Sequence, residues 1–398
     1  MNAAVTVTGP ASYTATVKAT TTLSGLTPGT YTVTAAPTRG TASVVDTDYK
    51  ENSGGGPVAV SAGKTSTSSV TYDLVPGSGD LWIVDTQAGI DGFTNNQLTG
   101  SGGAIPPAVQ VQNANTPEGL AIDASGNLWV GITTGSELVE YSTTQLVTGG
   151  SITPNITIKN NGTVNSLMRP LDLAFDPQGD LWVSNCNGNI EMFTPTQLTT
   201  NNSSPTPNTA LTSTTCAVGM TFDPHGDLWF SEPHAVPPDI VEFTAAQLAA
   251  AAGTTSSPSP KVVLTSSSFS SATSNTPAGI AFDGGGDLWV ANSSTASSSD
   301  DAIWMFPRSQ LVTSGTGTLT PTVILKDDGS GDLVNSYYLA FDNSGDLWVS
   351  SGKLVEFAPG LLQSSASPTP TVAITIASST QTQGAFPQLA FDPPPATP

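Results

Sequence analysis

From Gly79 onward, apolar residues come in short bursts bounded by Asp, Gly, Asn and Pro, and the bursts recur as a set. The first burst reads GLAID at Gly119–Asp123, DLAFD at Asp172–Asp176, GMTFD at Gly219–Asp223, GIAFD at Gly279–Asp283, YLAFD at Tyr338–Asp342 and QLAFD at Gln388–Asp392. The second carries a Leu-Trp pair: GDLWIV at Gly79, GNLWVG at Gly126, GDLWVS at Gly179, GDLWFS at Gly226, GDLWVA at Gly286 and GDLWVS at Gly345. Bursts this short, separated by turn formers, predict strands rather than helices. A third follows at Ile190–Phe193, Ile240–Phe243, Ile303–Phe306 or Leu354–Phe357. A fourth is predicted at Thr153–Ile158, Ser259–Leu264 and Thr320–Leu325. Proline beside the fourth suits an exposed sheet edge, where it blocks further pairing.

The tryptophans of the second burst stand at 82, 129, 182, 229, 289 and 348, so the set repeats every 47 to 60 residues. A period of this size with several strands per unit is that of a β-propeller blade, a small sheet that cannot bury both faces alone. The first Leu-Trp strand has no first-burst strand before it, and the last first-burst strand, Leu389–Asp392, has no Leu-Trp strand after it. Pairing these two ends closes the ring and removes its open edges. The expectation is an all-β chain whose residues 79–398 form a six-bladed β-propeller closed by its C-terminal strand.

Residues 1–74 do not follow this repeat. They predict a small β-sandwich with strands at Val5–Thr8, Tyr13–Val17, Thr21–Leu23, Thr30–Ala35, Val58–Ser61 and Ser68–Tyr72, joined to the propeller by a linker at 75–78. The phrase LSGLTPGTYTVTA (Leu23–Ala35) resembles the core of transthyretin-like and carboxypeptidase-regulatory-like sandwiches, Ig-like modules that serve as accessories or tethers. The repeat itself resembles NHL-type six-bladed propellers, through GLAFD, the turn, GDLWV and the I..F burst. It is distantly similar to gluconolactonase-like and virginiamycin-lyase-like propellers. The lactonase resemblance implies metal ligands immediately before the first burst, at Glu118, Leu171, Val218, Ala278, Tyr337 and Pro387, where Glu118 alone matches. The lyase resemblance implies a funnel His with a nearby Glu. His225 falls in a tight turn on the opposite face, which leaves His234, near Glu232, as the one plausible general base.

Composition narrows the partners. The chain carries 10 Lys+Arg against 31 Asp+Glu, a net charge of −21. That excludes a cationic footprint for nucleic acid or anionic lipid, and no stretch is apolar enough to span a membrane. A Ser/Thr-rich, lysine-poor surface points to an extracellular or cell-surface protein. No leader precedes the opening strand AVTVTG, so a leader removed earlier or a start further upstream is expected.

Long loops fall between the second and third bursts and between the fourth and the next first burst, so that side is the expected binding face. Candidate residues there are Asp85, Glu118, Asn185, Glu232, His234 and Asn292. Oxygen-rich side chains from several blades can hold a calcium-like hard cation or simply face water. No other cofactor is expected. The acidic loop Asp327–Asp332 lacks the spaced ligands of an EF-hand and reads as solvated. Cys186 and Cys216 map to neighbouring blades on this side and are read as a disulfide, with two separate thiols as the alternative. The aspartates closing the first burst recur in every blade, so they are expected to accept turn N–H bonds. The tryptophans are expected to pack between blades.

No nucleophile motif or phosphate-cradling loop appears. The function expected is therefore a non-enzymatic module binding protein, glycan or copies of itself. The rival expectation is a hydrolase or lyase working in the funnel, with calcium. An intracellular scaffold fits the front domain poorly.

Overall fold

The computed structural model describes residues 5–17, 20–35, 38–40, 47–54, 56–74, 81–85, 89–94, 97–98, 104–112, 116–146, 149–163, 166–185, 188–212, 215–270, 276–293, 301–342, 344–351, 353–376 and 388–391. Among these the chain is nearly all β, the α-helices being the short Thr143–Leu146 and Ala245–Ala251.

Residues 5–74 make two antiparallel sheets. One has the order Tyr13–Val17, Val5–Gly9, Gly29–Ala35, Gly56–Val60, and the other Thr38–Gly40, Thr47–Gly54, Val70–Leu74. Val7, Tyr31 and Val33 are buried, with Leu23, Leu26, Val58, Val60 and Val70 packed against them. Thr21–Leu23 is not a strand: its Leu23 joins this core just ahead of a turn at Gly25, whose φ is 69°. Thr47–Gly54 is a strand that alternation did not reveal, because TDYKENSG offers Tyr49 as its one large apolar residue.

Six sheets follow, each with an inner, a Trp, a third and an outer strand in that order. The second sheet is Pro117–Ile122, Leu128–Ile132, Glu137–Tyr141 and Ile156–Lys159; the third is Pro170–Phe175, Leu181–Asn185, Asn189–Phe193 and Thr209–Thr212. The fourth is Met220–Phe222, Leu228–Glu232, Asp239–Phe243 and Val262–Ser266; the fifth is Thr276–Phe282, Leu288–Ser293, Ala302–Phe306 and Val323–Lys326. The sixth is Tyr338–Phe341, Leu347–Ser350, Leu354–Phe357 and Val372–Ile376. The first sheet draws on both ends of the repeat region: Leu389–Phe391 pairs with Leu81–Asp85, Ala390 opposite Trp82, and Gly89–Phe93 and Val109–Gln112 complete it.

Apolar clusters lie between consecutive sheets, and each of the six repeat tryptophans belongs to a different cluster. Trp182, Trp229, Trp289 and Trp348 meet Phe222, Phe282, Phe341 and Phe391 of the following sheet edge to face. Burying both faces this way is what a four-stranded sheet with apolar residues on either side requires. Inner strands touch their successors, and Leu389–Phe391 touches both Tyr338–Phe341 and Pro117–Ile122.

The tight turns explain the most repeated residues. Asp342 Oδ1 accepts the N–H of Ser344 at 2.8 Å and of Asp346 at 3.1 Å, and its Oδ2 accepts the indole N–H of Trp348 at 3.0 Å. Asp123, Asp176, Asp223 and Asp283 repeat all three bonds. The glycine of GDLW takes φ of 78° to 84°, a left-handed conformation that disfavours a Cβ. The acid of GDLW acts elsewhere. Asp227 and Asp287 accept the backbone N–H of Ala245 and Arg308, each at 2.7 Å, where the chain leaves the third strand.

The outer strands are not open edges. Each sheet's outer strand receives, in parallel, a segment of the following sheet's connector between third and outer strands: Gly150–Ser151 on Val109–Gln112, Thr255–Ser256 on Thr209–Thr212, and Gly315–Leu319 on Val262–Ser266. Single bridges do the same at Ile158–Ser203 and Leu325–Ala366, and Ala104–Ile105 of the first sheet caps the sixth. Proline near these strands therefore ends pairing that already exists. A second signature, Ser/Thr-x-x-Gln-Leu, sets the connector. Gln97, Gln145, Gln197 and Gln247 accept the N–H of Thr94, Ser142, Thr194 and Thr244, each at 3.0 Å, and donate to carbonyls ahead of the outer strand. The following Leu98, Leu146, Leu198 and Leu248 are buried.

Candidate functional site

At or near the start of each inner strand, residues 119, 172, 219, 279, 338 and 388 are buried, and three of the six are large and polar. Gly119, Gly219 and Gly279 let neighbouring inner strands nearly touch: a Cβ on Gly279 would stand 2.6 Å from the Tyr337 carbonyl oxygen. Asp172, Tyr338 and Gln388 fill the space that remains. Asp172 Oδ1 accepts the N–H of Leu173 at 2.8 Å and the amide of Gln388, and its Oδ2 accepts the N–H of Met220 at 2.6 Å. Gln388 Oε1 accepts the N–H of Leu120, and Tyr338 donates its hydroxyl to the Val218 carbonyl at 2.9 Å. Five of the six sheets, all but the fifth, are thereby tied together by side chains from three. Burial pushes the Asp172 carboxyl well above its ordinary range, against the three donors that favour its charged form.

Sequence reasoning passed over these three residues. The signal was present: where the first burst begins with Gly in three sets, it begins with Asp, Tyr and Gln in the others.

A cavity of about 550 Å³ runs along the inner strands of the fourth, fifth and sixth sheets, with Asp172, Tyr338 and Gln388 at one end and Gly284, Ser344 and Gly345 at the other. None of Asp85, Glu118, Asn185, Glu232, His234 and Asn292 lines it. They occupy the other end of the strands, and no hydrogen bond described joins one to another. Glu118 precedes Gly119 and is half-buried. Its Oε2 has no hydrogen-bond partner, and burial raises its carboxyl while Arg169 lowers it. Burial raises the Tyr338 phenol most, followed by the charges of Asp172 and Glu118 and then Cys216 and Tyr337.

Asn185 and Glu232 end their Trp strands and are buried. Asn185 Oδ1 accepts the Met168 N–H at 2.9 Å, and its Nδ2 has no partner. Beside it lies Glu191, buried where the other third strands carry Asp91, Val139, Val241, Trp304 and Val355. Neither Glu191 oxygen has a partner, and burial pushes its carboxyl up to about 8, Asn185 pulling it partly back. Glu232 Oε1 accepts from the Thr215 hydroxyl at 2.8 Å and faces Asp239 across the ladder. Burial and then the Glu232 charge push Asp239 up to about 7. Neither Glu191, inside a predicted third burst, nor Asp239, just ahead of one, was among the candidate residues. Asn292 is buried opposite Ala302, and His234 is exposed in the loop after Glu232. Asp85 ends its strand, but its side chain lies outside the described residues.

A calcium site on the lactonase plan does not fit this chain. Leu171, Val218 and Ala278 stand where ligand oxygens are needed, and among the described residues no three His, Cys, Asp or Glu side chains are grouped to hold a metal. In the loop before the sixth sheet, Asp327 accepts the N–H of Gly329, Gly331 and Leu333. Burial opposes these donors, which nonetheless hold its carboxyl below the usual range. The loop expected to be merely solvated is thus an ordered turn. Cys216 is half-buried just before Met220–Phe222, while Cys186 lies outside the described residues, and the disulfide with it.

No family model and no curated protein matches the chain. Similar solved structures include a chain of a nidogen/laminin complex, 11% identical over 79% of this chain and 98% of that one, with a TM-score of 0.47. A putative gluconolactonase is 13% identical over 67% and 79%, TM-score 0.44. Virginiamycin B lyase from Staphylococcus aureus is 15% identical over 61% and 67%, TM-score 0.38.

Proposed function

We propose that the six sheets are the blades of a closed six-bladed β-propeller of the NHL type, carried behind a sandwich domain of residues 1–74 and a linker at 75–78. Inner-strand contacts that lead from each sheet to the next and back, together with the Leu389–Phe391 pairing, support the circle. Its role is that of a non-enzymatic extracellular or cell-surface module binding protein or glycan, or assembling with itself. One observation carries this reading. The polar side chains at the axis are spent on the fold, Asp172 on three donors and Gln388 on bridging Leu120 to Asp172, which makes a rigid display platform. Cys186 and Cys216, on adjacent blades, complete it as a disulfide.

Light scattering over a wide concentration range, with a glycan array and pull-down from secreted proteins, tests this. Concentration-dependent growth or a saturable partner is expected, whereas a strict monomer without a partner on any of them ends it. A second reading, a hydrolase or lyase, rests on Glu118, whose raised carboxyl has an oxygen without a partner close to Tyr338. It requires turnover of a lactone or cyclic ester that Glu118→Gln abolishes, and fails if the variant and the parent are equally inactive.

A further inference from the structure

The axial cavity opens on the side of the tight turns, away from the long loops. Accessibility along the inner strands fixes that direction. Gly119, Asp172, Gly219, Gly279, Tyr338 and Gln388, at or near the strand starts, are all buried. The central Ala174, Thr221, Ala281, Ala340 and Ala390 are half-buried, and Gly284 and Ser344 at the mouth are exposed. The bore exists because the central position is Ala or Thr in every set, so no long side chain crosses it. Its walls combine apolar surface from Ile280, Leu339 and Leu389 with strand edges, since each inner strand is the terminal strand of its sheet. A volume of about 550 Å³ is that of a small-molecule site.

Charge around the mouth has one dominant sign. Asp176, Asp223, Asp283 and Asp342 follow the ends of the inner strands, and Asp180, Asp227, Asp287 and Asp346 come four residues later; Asp342 lines the cavity and the others stand in the turns around it. Their N–H bonds hold them in place without cancelling their charge. The crowding reaches further out: burial and then Asp346 and Asp342 push Glu356 up to about 7. Lys261 and Arg308 are the basic groups near these turns, and neither lines the cavity. A narrow apolar bore under an acidic rim focuses the field on whatever enters.

We propose that this cavity binds a linear aliphatic polyamine, its ammonium groups at the aspartate rim and its methylenes along the Ala, Ile and Leu walls. A bare metal ion suits the site less well, because no convergent set of side-chain oxygens lines the bore. The site is distinct from the loop-side face on which the proposed partner binding rests.

Calorimetric titration with spermidine at low ionic strength tests it, with 1,6-hexanediol as the uncharged control. One spermidine per chain is expected, weakened about tenfold between 20 and 200 mM salt, with no heat from the diol. Gly284→Lys places a cation at the mouth where a side chain meets nothing within 4 Å, so folding is preserved and binding drops about tenfold or more. Ala340→Phe, which fills the bore, abolishes binding. Absence of heat with spermidine overturns the proposal. So does binding of several molecules per chain that Gly284→Lys leaves unchanged, the behaviour of counterions on an acidic surface.

Discussion

The two ends of the inner strands follow opposite rules. At the turn end, five aspartates make the same three bonds five times, and the residue is legible because it never varies. At the axial end the six positions are Gly, Asp, Gly, Gly, Tyr and Gln, and each large side chain makes contacts no other makes. Repetition marks what every blade needs in order to exist. Departure from the repeat marks where separate sheets are held to one another, or where the chain tolerates a cost.

The sharpest way to break this contrast is Asp172→Ala. It strands the N–H groups of Leu173 and Met220 and the Gln388 amide without an acceptor in a buried setting. A loss of about 4 kcal/mol in urea unfolding is expected. A loss under about 1 kcal/mol would mean the axial network is incidental to stability.

Glu191 is a departure of the second kind, a buried carboxyl where three of the other five sheets carry valine. Its folded-state pKa, about 8, lies above the ordinary value of 4.5. The folded protein therefore holds this proton more tightly than the unfolded chain. Stability from that group is whole below about pH 4.5 and declines as pH rises through 8. Glu191→Gln removes the decline, for a gain of several kcal/mol at pH 9 and almost none at pH 4. Equal effects of the substitution at both pH values would show that the carboxyl ionises without penalty.

Much of this architecture could be read before any coordinates, because strand alternation, the Leu-Trp pair and the turn residues are local and repeated. The pairing of Leu389–Phe391 with Leu81–Asp85 followed from a mismatch in the phrase count. What escaped was set by contacts between units. The parallel caps on the outer strands join segments about 40 to 50 residues apart, such as Val111 with Gly150, through Gly-Ser or Thr-Ser pairs with no strand signature. Gln97 and its equivalents looked like ordinary polar loop residues, although Ser/Thr-x-x-Gln-Leu repeats as faithfully as GDLW through the first four sets. Six loop-side residues were singled out because that side carries the insertions, yet the axial cavity runs to the short turns. Small central residues open a bore, and a run of alanines in strands advertises nothing chemical.

The smallest effect tests the repeated end. Asp342→Ala removes one acceptor from the Ser344 and Asp346 N–H groups and from the Trp348 indole. Ser344 is exposed and its N–H can turn to water, so the cost falls mainly on the buried indole and on turn rigidity, about 2 kcal/mol in all. Trp348→Phe keeps the inter-sheet ring contact and loses the indole N–H, so Asp342→Ala should cost less in that background. A coupling of about 1 kcal/mol in the double-mutant cycle is expected. The same cycle at Asp176 and Trp182 should agree to within about 0.5 kcal/mol, since the bonds are the same. Two cycles that disagree by more would mean that the repeated aspartates are not equivalent, and that even the invariant end of the strand has been individually tuned.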